Sequence, residues 1–251
     1  MKKILSITCI CAIIFMGFRC PKTAVLPEEP SNLDLNINIK SFYNSKPLII
    51  NQINDYNGKK IRFTRLSFFV TSPRATTSGK TVQFSNSTFL SNFTAEDSLK
   101  ANQNIRLSFN AIAGNYTAID FGIGVPTADN AKQPKDFSST DDLADAGNYW
   151  DAWNSYIFIK LEGLLDKDGD GRFETGVTLH AGGNELYKQL KYDKTFGIGQ
   201  GSPTYLNFEL DINKLVNGID LTTYNSSHQV GDIATMRIMM NNLNTAMTLK
   251  N

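Results

Sequence analysis

The stretch Leu33-Asp34-Leu35-Asn36-Ile37-Asn38-Ile39-Lys40 alternates apolar and polar side chains without a break. Successive side chains of a β-strand point to opposite faces, so a period of two predicts a strand with one buried face and one face in water. A helix would instead repeat its apolar residues every three to four positions. This stretch therefore indicates a β-rich fold, and the rest of the chain can be compared with it.

The same alternation recurs between turn signals such as Asn57-Gly58, a pair that is typical of tight hairpins. Further strands are predicted at residues 48–53, 61–70, 82–84, 87–93, 105–111, 116–124, 155–161, 177–180 and 205–210. The strand at 61–70 is expected to end by Pro73, because proline has no N–H for a β-ladder.

Three segments break the β pattern. Residues 127–147 are polar and acidic and predict a long loop or a helical insertion, the kind of segment that often carries function. Residues 211–216 predict a short helix capped by Asp211, and residues 232–243 predict an amphipathic helix. We therefore predict a mostly β fold: an antiparallel β-sandwich or barrel-like single domain with short helical insertions.

The first 20 residues have the layout of an export signal. Lys2 and Lys3 precede an apolar run at residues 4–18, which is too short to cross a bilayer of ~30 Å as a helix. The run closes at Cys20, which becomes the acylated N-terminal residue if signal peptidase II cleaves before it. The alternative is a plain secretory signal in which Cys20 is incidental.

Export implies a protein of the cell envelope, in the periplasm or at the outer membrane or cell surface. The lipoprotein interpretation adds attachment to the membrane through a lipid anchor on Cys20. Residues 21–32, with two prolines and two glutamates among residues 23–32, read as a tether. Residues 33–251 then form the β domain.

Charge and cysteine content exclude several classes of site. The net charge is +1 and both signs are interspersed, so there is no basic stripe and nucleic acid is not expected as a partner. The cysteines are Cys9, Cys11 and Cys20, so the mature chain would have no free thiol for a disulfide, a thiolate metal site or a cysteine nucleophile. A site for a soft metal must then use histidine, methionine, aromatic or carboxylate groups.

Residues 166–174 (DKDGDGRFE), here called the acidic loop, resemble the first half of a calcium-binding loop. The carboxylates at positions 1, 3, 5 and 9 are Asp166, Asp168, Asp170 and Glu174. Gly171 stands at position 6, where such loops need a sharp turn, but Val177 replaces the acid expected at position 12. Calcium is therefore a candidate ligand, with an acidic hairpin turn that binds no ion as the alternative.

Histidine and tryptophan are scarce. The two histidines are His180, at the end of a predicted strand, and His228, in a polar loop. Both tryptophans, Trp150 and Trp153, lie just before the predicted strand at 155–161. Each of these residues could be a structural side chain, or the histidines could supply two nitrogens to copper beside an indole.

Three segments together resemble a known family. They are residues 114–126 (GNYTAIDFGIGVP), residues 149–163 (YWDAWNSYIFIKLEG) and residues 177–183 (VTLHAGG). The chain is similar over roughly residues 33–249 to the MbnP-like family, the methanobactin-associated periplasmic copper-binding proteins, which are common as lipoproteins in Bacteroidetes-type bacteria.

The resemblance implies a β-rich fold that holds one copper ion through histidine nitrogens. Its HxGG segment matches at His180, and a second histidine position resembles His228. It further implies that a nearby tryptophan, Trp150 or Trp153, is oxidised to kynurenine by a di-haem peroxidase-like partner. The expected function is that of a copper-binding envelope lipoprotein for metal uptake or storage, with no catalytic residue of its own.

A different function remains open from the residues alone. The chain could be a calcium-stabilised, non-enzymatic binding or adhesion module in which the copper site is degenerate. An enzyme has the weakest support, because the sequence has no GxSxG, HExxH or P-loop motif.

Overall fold

The computed structural model describes residues 33–93, 104–199, 201–227 and 232–250. Within those ranges the chain forms two β-sheets with small helical additions. The strands are β1 (Leu33–Tyr43), β2 (Lys46–Pro47), β3 (Ile53–Tyr56), β4 (Lys59–Thr77), β5 (Lys80–Gln83), β6 (Thr88–Phe93), β7 (Asn104–Ala111), β8 (Gly114–Ile123), β9 (Tyr149–Trp150), β10 (Ser155–Asp166), β11 (Thr175–Gly182), β12 (Lys188–Ile198), β13 (Thr204–Asp211), β14 (Ser226–Ser227) and β15 (Met247–Leu249). The helices are α1 (Thr127–Asn130), α2 (Ile212–Leu215) and α3 (Ile233–Ala246), with 3-10 turns at Pro134–Asp136, Asp142–Ala144, Ala146–Asn148 and Asn184–Leu186.

The smaller sheet is built around β1, which pairs with β13, β2 and β7. The apolar set Leu35, Ile37 and Ile39 is fully buried, as the alternation predicts. The polar face is less exposed to solvent than predicted, because Asn36 and Asn38 are also buried. Each hydrogen-bonds to the side chain paired with it in a neighbouring strand, Asn36 with Ser108 of β7 and Asn38 with Asn207 of β13.

The larger sheet has the order β12-β8-β4-β10-β11-β14, and in addition β3, β5 and β6 pair with β4 and β9 pairs with β10. Its longest strand, β4, does not end by Pro73 as predicted but continues to Thr77. The pairing of β4 with β8 shifts register between Thr71 and Arg74, and Ser72 there has a φ of 49°. This bulge removes the need for an N–H at Pro73, so the strand can resume beyond it.

The two sheets pack face to face over one apolar core. Phe121 of β8 contacts Phe208 of β13 edge-on, with 5.1 Å between the ring centroids. Tyr43 of β1 contacts Phe63 of β4 in the same way, with 5.0 Å between the centroids. The prediction of a mostly β fold with short helices is confirmed, and the sheets form an open sandwich and not a closed barrel. Both sheets are mixed, because the β1–β13 and β11–β14 pairings are parallel.

The three predicted helical segments contain helices or 3-10 turns, whereas several strands were not predicted. Residues 127–147 hold α1 and most of the 3-10 turns, and Asp211 caps α2 by accepting from the N–H groups of Asn213 and Lys214. The sequence analysis missed β12, an edge strand of 11 residues. Lys194 interrupts its apolar alternation where its pairing with β8 shifts register, which hides the period of two.

Candidate metal centre

His180 lies near the end of β11 in the larger sheet. The preceding Leu179 is fully buried in the core, so His180 points to the opposite face of the strand. The antiparallel register places it opposite Lys160 of β10. Two residues further along β10, Glu162 reaches diagonally across, and its Oε1 lies 2.8 Å from Nε2 of His180. Only 12% of the His180 side chain is exposed, so the imidazole is a sheltered group held by a carboxylate.

The pKa values of the charged groups near His180 are shifted by burial and by neighbouring charges. The hydrogen bond with His180 lowers the pKa of Glu162 below its usual range, and the positive charges of Arg65 and Lys160 lower that pKa further. Burial lowers the pKa of Lys160, and the charge of Arg65 adds to the effect. Lys160 is 4% exposed, and its Nζ donates to the carbonyl oxygen of Gly147. These groups place an ionised carboxylate against His180 and fasten the preceding insertion to β10.

The two tryptophans lie beside His180. A short hairpin pairs β9 with β10, with Trp150 opposite Ser155. The Trp150 and Trp153 rings stack with their centroids 4.8 Å apart and an interplanar angle of 18°. Trp150 also meets the imidazole of His180 edge-on, at 6.3 Å between centroids. The structure therefore brings together three of the residues that the sequence analysis singled out.

Asn130, at the end of α1, fixes this hairpin from the side. It is 3% exposed, and its Oδ1 accepts from the backbone N–H of Tyr156 at 2.8 Å and from Ser155 Oγ at 3.1 Å. Its Nδ2 donates to Asn184 Oδ1 at 2.9 Å, and Ser155 Oγ accepts from the N–H of Gly183 at 3.0 Å. One buried amide thus connects the insertion, the start of β10 and the chain that follows β11.

Gly182 explains why the histidine is followed by glycines. A Cβ at this position would lie 2.5 Å from the Tyr156 carbonyl oxygen and 3.0 Å from the Trp153 ring. The next residue, Gly183, has a φ of +102°, a backbone conformation that favours glycine. The absence of a side chain at Gly182 lets the Trp153 indole lie directly on the backbone near His180.

The sequence analysis gave no role to Asn130, Lys160 or Glu162. A usable signal did exist for the last two residues, because Lys160 and Glu162 share one face of a strand that is otherwise almost wholly apolar. Charged side chains at alternate positions of a buried strand need partners, and those partners mark a site. No comparable signal marks Asn130, which is one polar residue within a polar segment.

Two of the predicted site residues, His228 and Cys20, lie outside the residues that the structure describes. The described chain approaches His228 along β14, which runs parallel to β11. Ser227, the residue before His228, pairs with Leu179, the residue before His180.

The acidic loop forms the turn at the other end of the β10–β11 hairpin. Its four predicted carboxylates each offer an oxygen, and these oxygens all lie within 4.8 Å of one another. Asp166 is buried and shapes the turn, since its Oδ1 accepts from the Gly169 N–H at 2.8 Å and its Oδ2 from the Gly171 N–H at 3.1 Å. The other three carboxylates are exposed. The loop is separated from His180 by about 20 Å of strand, at ~3.3 Å per residue, so the two sites are distinct.

Comparison with known proteins identifies the family of the chain. The family model named MbnP matches residues 32–233, which is most of the chain. The chain belongs to the MbnP family. Among solved structures, MbnP from Methylosinus trichosporium is similar, with a TM-score of 0.54 and 12% sequence identity over 75% of this chain and 79% of that chain. At that identity the likeness shows the shared fold alone. No curated protein matches.

Membership of the MbnP family points to a methanobactin-associated, copper-related protein outside the cytoplasm. Among the residues described by the structure, no helix is both long enough and apolar enough to span a membrane.

Proposed function

We propose that this MbnP-family chain is a copper-binding lipoprotein of the cell envelope that serves metal uptake or storage. The observation that supports this proposal is the placement of His180 between the Glu162 carboxylate and the stacked pair Trp150 and Trp153. Cys20 carries the lipid anchor in this proposal, and residues 21–32 connect the anchor to the fold.

The residues at the site fit a copper ion by their chemistry. Imidazole suits copper, and a carboxylate on the other ring nitrogen is a common support for a ligating histidine. We assign His228 as the second ligand, because the described chain leads to it from the position beside Leu179. The methionines of α3 (Met236, Met239 and Met240) are buried in the core, so an aromatic oxygen is the better candidate for a further donor.

The proposed role is binding and not catalysis by this chain. A di-haem peroxidase-like partner would carry out the oxidation that the family resemblance implies, on one of the two indoles. Trp150 is the better candidate for that oxidation, because its ring contacts His180, whereas Trp153 stacks on Trp150 and lies against Gly182.

The test is elemental analysis of the protein purified from its native envelope, together with its intact mass. We expect one copper per chain in the wild type and its loss in His180→Ala and in His228→Ala. Arg106→Ala, an exposed change on the smaller sheet, is the control and should retain copper. A wild-type protein without copper, or a His180→Ala variant that retains it, would contradict the proposal. Mass mapping of the peptide with both tryptophans would then test the oxidised indole.

The alternative function is a calcium-stabilised binding module, and it is favoured by the four converging carboxylates of the acidic loop. The same elemental analysis separates the two functions. Calcium without copper would favour the module, and copper that survives chelation of calcium would favour the copper protein.

A further inference from the structure

The contact between Glu162 and His180 determines which nitrogen of the ring carries a proton. An ionised carboxylate has only acceptor oxygens, so the ring atom that faces it at 2.8 Å must be the donor. That atom is Nε2. A neutral imidazole has one N–H, so the lone pair of His180 is on Nδ1, which is buried from solvent.

Glu162 can determine which nitrogen of His180 carries the proton because its backbone position is fixed. It lies within a regular strand that is paired on both sides, opposite Arg65 of β4 and Thr178 of β11. The positive groups of Arg65 and Lys160 flank it on the same face of the sheet. His180 is held in β11 by the same ladder, so the backbones that carry the two side chains are fixed relative to each other.

Trp150 limits the imidazole further. Its ring lies nearly perpendicular to that of His180, with an interplanar angle of 79°. The imidazole is thus bounded by the carboxylate at Nε2 and by the indole next to it. The imidazole therefore has a contact on two sides in the metal-free protein.

We propose that Glu162 is a positioning residue that keeps the proton of His180 on Nε2 and so presents Nδ1 as the metal-binding nitrogen. The inference rests on the proposed copper role of His180. When the tautomer and the ring orientation are already fixed, metal binding does not have to supply the free energy for fixing them. Carboxylate–histidine pairs have this effect in other metal sites.

The first experiment reads the tautomer in the copper-free protein. Long-range ¹H–¹⁵N correlation spectra of histidine-labelled protein at pH 8 distinguish Nε2–H from Nδ1–H, and His180→Asn assigns the signals. We expect His180 as the Nε2–H form in the wild type. A wild-type ring protonated on Nδ1 would overturn the proposal.

The second experiment measures affinity by competition with a copper(I) chelator. Glu162→Ala should weaken copper binding roughly 10–100-fold while the far-UV circular dichroism is unchanged. Glu162→Gln, which keeps the shape, serves if the alanine variant does not fold. Glu209→Gln, which removes the partner of Lys250 on the smaller sheet, is the control and should bind as the wild type does.

The failures of the two proposals can be told apart. Affinity of a folded Glu162→Ala variant within twofold of the wild type would overturn the positioning role. Unchanged copper binding in His180→Ala would instead show that His180 is not a copper ligand, while the tautomer of the copper-free protein still tests what Glu162 does to His180.

Discussion

The two ends of the β10–β11 hairpin carry the two candidate sites, and they are built in opposite ways. The acidic loop takes all its carboxylates from nine consecutive residues, most of them exposed. The end with His180 combines α1, β9, β10 and β11 around sheltered side chains. A local site can form with little help from the rest of the fold, whereas an assembled site depends on each element that holds it. Substitutions should therefore disturb the two ends very differently.

The largest effect is expected for Asn130→Ala. It leaves the buried N–H of Tyr156 without its acceptor and removes one acceptor of the buried Ser155 hydroxyl, at about 1–3 kcal/mol for each group. We expect the free energy of unfolding to fall by about 3 kcal/mol in urea titrations. Asn217→Ala, at an exposed position, is the control and should change it by less than about 0.5 kcal/mol. Equal effects in both variants would mean that Asn130 does not hold the site together.

Gly182→Ala should come next, with a loss of about 1–3 kcal/mol from overpacking. Its Cβ would press on the Tyr156 carbonyl and the Trp153 ring, so the indoles should also lose their stacking. The measurement is near-ultraviolet circular dichroism, in which two stacked indoles give a coupled signal. Gly176→Ala lies on the same strand with nothing within 4 Å of its Cβ and should keep that signal. A full coupled signal in Gly182→Ala would show that the glycine is not needed for the stack.

Glu162→Gln should have a smaller effect on stability that depends on pH. Because the pKa of Glu162 is lower in the folded than in the unfolded protein, its ionised form stabilises the fold above the unfolded value of about 4.5. This contribution is lost as the pH falls through the folded pKa. Copper-free wild type and variant should therefore differ by up to about 1 kcal/mol at pH 7, and the difference should vanish once the pH is below the folded pKa of Glu162. Thermal melts across that range test the direction, and a difference that grows towards acid pH would contradict it.

The smallest effect is expected at the acidic loop. Asp168→Asn combined with Asp170→Asn removes two exposed charges, so without metal the stability should change by less than about 0.5 kcal/mol. Asp166 is left intact because it shapes the turn through two backbone hydrogen bonds. With calcium at millimolar concentration, a rise in melting temperature of the wild type alone would show that the loop binds the ion. Equal melting temperatures with and without calcium would leave it a structural turn.

The same contrast explains what could be read from the sequence. The acidic loop was predicted with all four of its carboxylates, because its spacing along the chain is also its spacing in space. His180, Trp150 and Trp153 were selected by their scarcity and by a family resemblance, and the structure brings them together. Asn130, Lys160 and Glu162 were assigned no role, because their importance comes from strands and helices that meet only in the folded protein. The edge strand β12 was missed for a related reason, since Lys194 at a register shift breaks its pattern.

The sequence by itself determined the β class of the fold, the apolar faces of its strands, the caps and turns, and the acidic loop. These features arise from interactions between residues close together in the chain, so the hydrophobic periods of strands and helices can be recognised in the sequence. Only the tertiary structure decided that β1 runs parallel to β13, that β4 continues past Pro73, and that Glu162 and Trp150 enclose His180. Those arrangements depend on contacts between residues far apart in sequence, and their free energy is gained only when the sheets pack.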